Sequence, residues 1–209
     1  MTEINYLPST EEEVLQLGLG PHQFTTSLAR VIEALEHSPL RLEYLHESAI
    51  IRINYANLNH EIISANVAVK LATSFGTGYL LVGSNHRIYN SLNNAVLAPD
   101  LFVIKGKVRQ TKLSDKIKLV TNPWLIVEVH SPSTEAYDLG TKLSAYKKFP
   151  TVEYILYVHQ NEQRATLHSR SSATLWRSEG FGPEQPDITI GDAKLSLTDI
   201  YQNLPSEEE

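Results

Sequence analysis

The segment that most restricts the fold is Trp124-Leu125-Ile126-Val127-Glu128-Val129, a nearly continuous apolar run with one acid inside it. A strand covered on both faces reads this way, because neither face alternates with water. Tyr137–Phe149 follows with helical spacing, Pro150 stops it, and Val152–Val158 (VEYILYV) repeats the buried-strand pattern. Strand, helix and second buried strand predict a βαβ-like unit in a mixed sheet, and so an α/β fold.

The remaining segments arrange themselves around that unit. Leu28, Val31, Ile32 and Leu35 recur at helical spacing and predict a helix over Thr25–Glu36, closed by Pro39. Leu42–Asn54 has strand character after His46–Ser48. Leu58, Ile62, Ala65, Val69 and Ala72 predict a second helix, with Asn57 or Asn59 as cap and Gly76 as terminator. Short strands are expected at Tyr79–Val82, His86–Tyr89 and Leu101–Ile104, a closing antiparallel meander at Arg164–Arg170 and Ala173–Arg177, and a short helix at Thr198–Leu204. Residues 1–22 read as a flexible arm, 23–204 as one domain and 205–209 as an acidic tail.

Composition narrows the function. The 209 residues include no cysteine, which removes thiolate zinc sites, disulfides and cysteine nucleophiles and fits the cytoplasm. No apolar run is long enough for a membrane span and the acidic N-terminus is no signal peptide, so no membrane partner is expected. A formal net charge of −6 argues against nucleic-acid binding by bulk charge; such binding would need a local basic groove. Lys105, Lys107, Arg109, Lys112, Lys116 and Lys118 offer one, or form a solvated connector.

Two acids and a lysine carry the chemistry. Glu128, in the most apolar strand, needs a basic partner, a hydrogen-bonding shell or a cation to stay ionised, and a structural ion pair is an equal alternative. Asp100 follows Pro99 at the entrance to Leu101-Phe102-Val103-Ile104, where a turn aspartate is the simpler reading of that residue alone. Asp138, Lys142 and Tyr146 are spaced by four on one helical face, with Leu139 and Leu143 marking the neighbouring buried stripe. Lys142 can lean toward Glu128, or form a surface pair with Asp138 worth only about 0.3–0.5 kcal/mol. Together, two carboxylates suit Mg2+, with Mn2+ as a substitute, and a lysine can orient the attacking water and stabilise charge on a phosphate. This is the equipment of metal-assisted phosphodiester hydrolysis.

Pro99-Asp100, Glu128-Val129-His130-Ser131-Pro132-Ser133-Thr134 and Tyr137-Asp138-Leu139-Gly140-Thr141-Lys142-Leu143, with Tyr146 and Pro150, resemble the Uma-two (Uma2) family of the PD-(D/E)XK nuclease-like superfamily, over roughly Leu42 to Val158. The resemblance implies a restriction-endonuclease-like mixed β-sheet flanked by helices, with the site at one edge of its central strands. It carries Asp100 and Glu128 over as metal ligands, with the backbone carbonyl of Val129 beside them. Lys142 matches a catalytic lysine moved onto the helix, Glu43 an upstream acid that assists the metal, and His60 a histidine opening the next helix. His130 stands where the superfamily usually has its lysine, and either contacts phosphate or water or packs at the strand end. Leu45-His46-Glu47-Ser48 replaces the family's acidic-glycine turn.

The other motifs carry less. His22, His46, His86, His159 and His168 lack paired ligand spacing, and Gly76-Thr77-Gly78 lacks the pattern of a dinucleotide loop. Trp124 and Trp176 read as packing anchors, and Ser131 and Ser133 lack a histidine–acid constellation. The expected function is a Mg2+-dependent endonuclease acting on nucleic acid, DNA in the first place. A homodimer would supply two sites for two strands. The alternatives are a catalytically inactive module of the same fold, serving as a nucleic-acid or protein scaffold, and hydrolysis of another phosphoester.

Overall fold

The computed structural model describes residues 7–18, 20–38, 40–52, 57–130 and 135–205. Pro39, the end of the Leu42–Asn54 stretch, Ser131–Thr134 and Glu207–Glu209 lie outside the described residues. In chain order the first elements are α1 (Glu11–Leu15), β1 (His22–Thr25), α2 (Leu28–His37), β2 (Arg41–Leu45), β3 (Ser48–Arg52) and α3 (Leu58–Ser74). Six strands follow: β4 (Tyr79–Gly83), β5 (Ile88–Asn90), β6 (Ala95–Leu97), β7 (Leu101–Lys105), β8 (Gln110–Lys112) and β9 (Lys118–Val120). Then come β10 (Leu125–His130), α4 (Glu135–Tyr137), a wide π-helical turn (Asp138–Lys142), α5 (Leu143–Lys147) and β11 (Tyr154–His159). The chain closes with β12 (Ala165–Arg170), β13 (Trp176–Phe181), β14 (Asp187–Ile190), β15 (Ala193–Ser196) and α6 (Leu197–Ile200).

The chain forms two compact units and passes between them several times. The first holds residues 1–55, 84–98 and 109–122 and contains a seven-stranded mixed sheet in the order β1-β3-β2-β6-β5-β9-β8. Its core joins Val31, Leu42, Tyr44, Ile51, Val96 and Leu119. Helix α2 starts three residues later than its apolar spacing predicts, because Thr25 continues β1 and the Ser27 side chain caps the helix by accepting from the Arg30 N–H. Within the stretch expected as an arm, Thr10 and Glu13 form a reciprocal capping box and Val14 is fully buried. The Leu42–Asn54 stretch is a hairpin turned by His46 and Glu47, both at positive φ (50° and 58°). The basic stretch expected as a connector contributes β8 and β9 to this sheet. Those strands are only three residues long, and β8 exposes two of its three, so they carry almost no hydrophobic period to read.

The second unit holds residues 56–83, 99–108 and 123–209. Its six-stranded mixed sheet runs β13-β12-β11-β10-β7-β4, with β10 and β11 parallel and the others antiparallel. All six residues of β10 are buried, as a central strand requires. Leu125, Val127 and Val129 pack with Ile63, Val67 and Leu71 of α3 and with the β14–β15 hairpin. Helix α3 is capped by Asn57 and ends at Ser74, before Gly76: Phe75 turns to extended backbone and stacks on Tyr79 with centroids 4.4 Å apart. Trp124 rests edge-on against Phe75, Tyr79 and Tyr154, and Gly191 (φ 57°) is required beside it, because a Cβ there would meet the indole at 3.0 Å.

The segment from Glu135 to Lys147 departs from a uniform α-helix. The π turn inserts residues and shifts the buried face, so that Asp138, Lys142, Ala145 and Tyr146 point inward while Leu139 is exposed. The expected Leu139–Leu143 stripe presupposed a constant 3.6-residue period, which the wide turn breaks.

Candidate active site

The second unit gathers most of the predicted residues at one end of β10. The last pair of the β7–β10 ladder is Val127 opposite Leu101, so Asp100 and Glu128 are the next residues outward on the two strands. Asp100 lies in a bend and is buried; its Oδ2 accepts a hydrogen bond from the Val129 N–H at 2.8 Å. The same oxygen lies 3.3 Å from His60 Nε2, and His60 Nδ1 lies 3.4 Å from Glu61 Oε1. The first turn of α3 thus orients the Asp100 carboxylate. Val129, expected through its carbonyl, ties its N–H to Asp100 and so links the two acids.

Glu128 is 1% exposed and Lys142 0%. Lys142 Nζ stands 2.6 Å from Glu128 Oε1 and 3.8 Å from Asp138 Oδ1, and the Tyr146 hydroxyl donates to Glu128 Oε1 in a short hydrogen bond. The Tyr157 hydroxyl donates to the Asp138 carbonyl at 2.7 Å, fastening the π turn to β11. Of the remedies for a buried acid, Lys142 supplies the basic partner and Tyr146 a hydrogen-bonding shell. Lys142 is no surface residue: it lies in the π turn and is buried together with Asp138, with which it shares a face.

His130 is buried on the same strand, and neither ring nitrogen has a hydrogen-bond partner among the described residues. Its ring meets His159 with centroids 4.1 Å apart and Tyr157 at 5.7 Å. Burial, and then His159, push its pKa below the usual histidine range. Glu43 belongs to the first unit, in β2, where its buried carboxylate accepts from the Ala98 N–H at 2.7 Å. Of the basic cluster, Lys105 lies over the Tyr79 and Trp124 rings, Lys112 pairs with Asp115 at 2.5 Å and Lys116 with Glu36 at 3.8 Å.

The donor set fits a hard divalent cation in kind: two carboxylates at facing positions just beyond the β7–β10 ladder, offering oxygen and no sulfur. One grouping escaped the sequence reading, that of Glu135 and His159 with His130. A signal for it exists, since the parallel β10 and β11 end together on His130 opposite His159.

The chain combines mixed sheets with flanking helices and antiparallel C-terminal strands, an α/β fold. The chain is a member of the Uma2 family, whose model, described as "Putative restriction endonuclease", matches residues 28–198. It is 26% identical over 169 residues to the uncharacterized protein sll1609 of Synechocystis sp., covering 80% of this chain and 93% of that one. It is 30% identical over 121 residues to slr1290, another uncharacterized protein of the same organism, covering 56% and 60%. The crystal structure of a "putative nuclease belonging to DUF820" from Anabaena variabilis has a similar fold, with TM-score 0.62 and 14% identity over 77% of this chain and 89% of that one. Membership of the family supports a nuclease role.

Proposed function

We propose that the protein is a Mg2+-dependent endonuclease that hydrolyses phosphodiester bonds in DNA. The observation that carries the reading is the wholly buried Lys142–Glu128 contact at 2.6 Å, with Asp100 at the paired position on the neighbouring strand, because a lysine paired with a strand-end carboxylate is costly to bury and chemically apt. Asp100 and Glu128 would hold the cation, with the Val129 carbonyl, and Mn2+ would substitute. The bound cation supplies Lewis-acid polarisation of a phosphoryl oxygen and a more acidic water. Lys142 orients the attacking water and stabilises the charge that grows on the phosphate. Tyr146 fixes the Glu128 carboxylate and His60 that of Asp100, while Glu43 holds the Ala98 N–H and His130 fills the strand end. A homodimer would present two such sites to the two strands of a duplex. Among the described residues no helix is long and apolar enough to cross a membrane.

The test is incubation with supercoiled plasmid, linear duplex and single strands in Mg2+ and Mn2+, beside Asp100→Asn and Lys142→Ala. Cleavage should require the metal and fall at least about 100-fold in each variant, the usual scale for losing one transition-state contact. Cleavage that persists in both overturns the site. A second reading, an inactive module of this fold acting as a scaffold, draws on the internal partners Glu128 already has and on the net charge of −6. Absence of heat on titrating Mg2+ and Mn2+ into the protein, with the same flat trace for Glu128→Gln, would favour it.

A further inference from the structure

His130, Glu135 and His159 form a cluster that the nuclease reading does not use. They come from three elements: the last residue of β10, the first of α4 and the last of β11. One ligand atom from each lies within 4.8 Å of the others. Donors bound tetrahedrally to zinc at about 2.1 Å stand about 3.4 Å apart, so closure needs side-chain movement of roughly 1 Å and no shift of the strands. Parallel pairing holds His130 and His159 side by side. The second observation is His130 itself: it is 2% exposed, and both its nitrogens lack a partner among the described residues. An imidazole buried without a hydrogen bond is costly, and a lone pair directed at a cation removes that cost.

We propose that these three residues form a second cation site, for a zinc-like divalent transition ion, made of different residues from the Asp100–Glu128 pair. Two imidazoles and one carboxylate suit Zn2+, Co2+ or Ni2+ and are a poor set for Mg2+, which prefers oxygen. Three protein donors leave a fourth position for water, as in open zinc sites. The ion would clip the ends of β10 and β11 to the start of the helical segment that carries Asp138 and Lys142. One group competes: Arg164 Nη2 lies 3.3 Å from His159 Nδ1. Arg164 is half exposed and has Glu162 at 3.4 Å as another partner, so it can leave the imidazole when the ion binds.

The experiment uses the full chain stripped with chelator and titrated with Co2+, read by visible ligand-field absorption and by the rise in Tm. We expect one equivalent bound, displaced by Zn2+ but not by a large excess of Mg2+. Affinity should fall at least about tenfold in His159→Asn and in Glu135→Gln, be unchanged or tighter in Arg164→Ala, and survive in Asp100→Asn and Glu128→Gln. His159 and Glu135 are only partly buried, so these variants carry the test even if His130→Asn does not fold. No cobalt uptake by the native chain, bands that persist in both His159→Asn and Glu135→Gln, or bands lost in Asp100→Asn would overturn the proposal. The nuclease reading is scored separately by plasmid cleavage, which does not enter this titration.

Discussion

Removing the ammonium of Lys142 isolates the term on which the site depends. At 2.6 Å the Coulomb attraction to Glu128 is about 6 kcal/mol at an effective dielectric of about 20. Burying each ion costs several kcal/mol, so the intact pair is near break-even, whereas loss of one member leaves the desolvation of the other unbalanced. Lys142→Met should therefore lower stability by about 3–5 kcal/mol without metal, with Tm falling by on the order of 10 °C. Glu128→Gln should also be destabilised, because it takes from the buried lysine its carboxylate at 2.6 Å and leaves Asp138 at 3.8 Å. The double variant should lose at least about 2 kcal/mol less than the sum of the two, the excess being the coupling energy. Urea unfolding in chelator at pH 7, followed by tryptophan fluorescence, measures this in the right place, since Trp124 and Trp176 both lie in the second unit. Additive single changes, or a Lys142→Met variant within about 1 kcal/mol of the native chain, would refute the reasoning.

Three further outcomes follow from particular contacts. His168, buried against Tyr157 with Ser178 Oγ 2.6 Å from its Nδ1, has its pKa pushed from 6.5 down to about 4 by burial and then by Lys147. The unfolded chain therefore binds a proton that the folded one refuses, and stability is complete above pH 6.5 and declines as pH falls from there to about 4. The decline should be about 1–3 kcal/mol, allowing for partial screening, and His168→Gln should flatten it in urea titrations across that window. His46→Asn with Glu47→Gly should stabilise the hairpin by about 1–2 kcal/mol, since both residues hold positive φ in a two-residue turn; circular-dichroism unfolding with no gain would contradict this. Lys142→Met should bind Mg2+ more tightly by calorimetry than the native chain while cleaving DNA more slowly, because the ammonium occupies a carboxylate oxygen the cation would share; weaker binding would mean that Lys142 helps hold the metal.

Legibility in the sequence tracked the length of each hydrophobic period. Strands β10 and β11 and helix α3 are long enough to impose one, and the crossover between the strands was readable from their order. The hairpins β8–β9 and β14–β15 were not: elements of three or four residues alternate too briefly to stand out from a loop. The division into two units was also hidden, because each is assembled from three separate stretches, and nothing local marks which stretches pair. Within the site, Asp100, Glu128 and Lys142 were legible as types in an order. Tyr146 shares the helical face of Lys142 and His60 follows from the family resemblance, but which acid each one bonds, and the π turn itself, are set by folding and not by spacing.

That turn has a consequence for how the acid is handled. Asp138, Lys142 and Tyr146, spaced by four, face inward together, so Glu128 meets an ammonium and a hydroxyl and not hydrocarbon. Within the turn Asp138 and Lys142 are buried while Leu139 is exposed. Such wide turns recur at functional sites, and this one carries the cation that makes a carboxylate tolerable in the central strand. Because Asp100 is bound to the N–H of the very next residue, any change at Lys142 that moves Glu128 also moves the second acid. The two carboxylates and the lysine are therefore coupled through one strand end, and single substitutions among them should not behave as independent events.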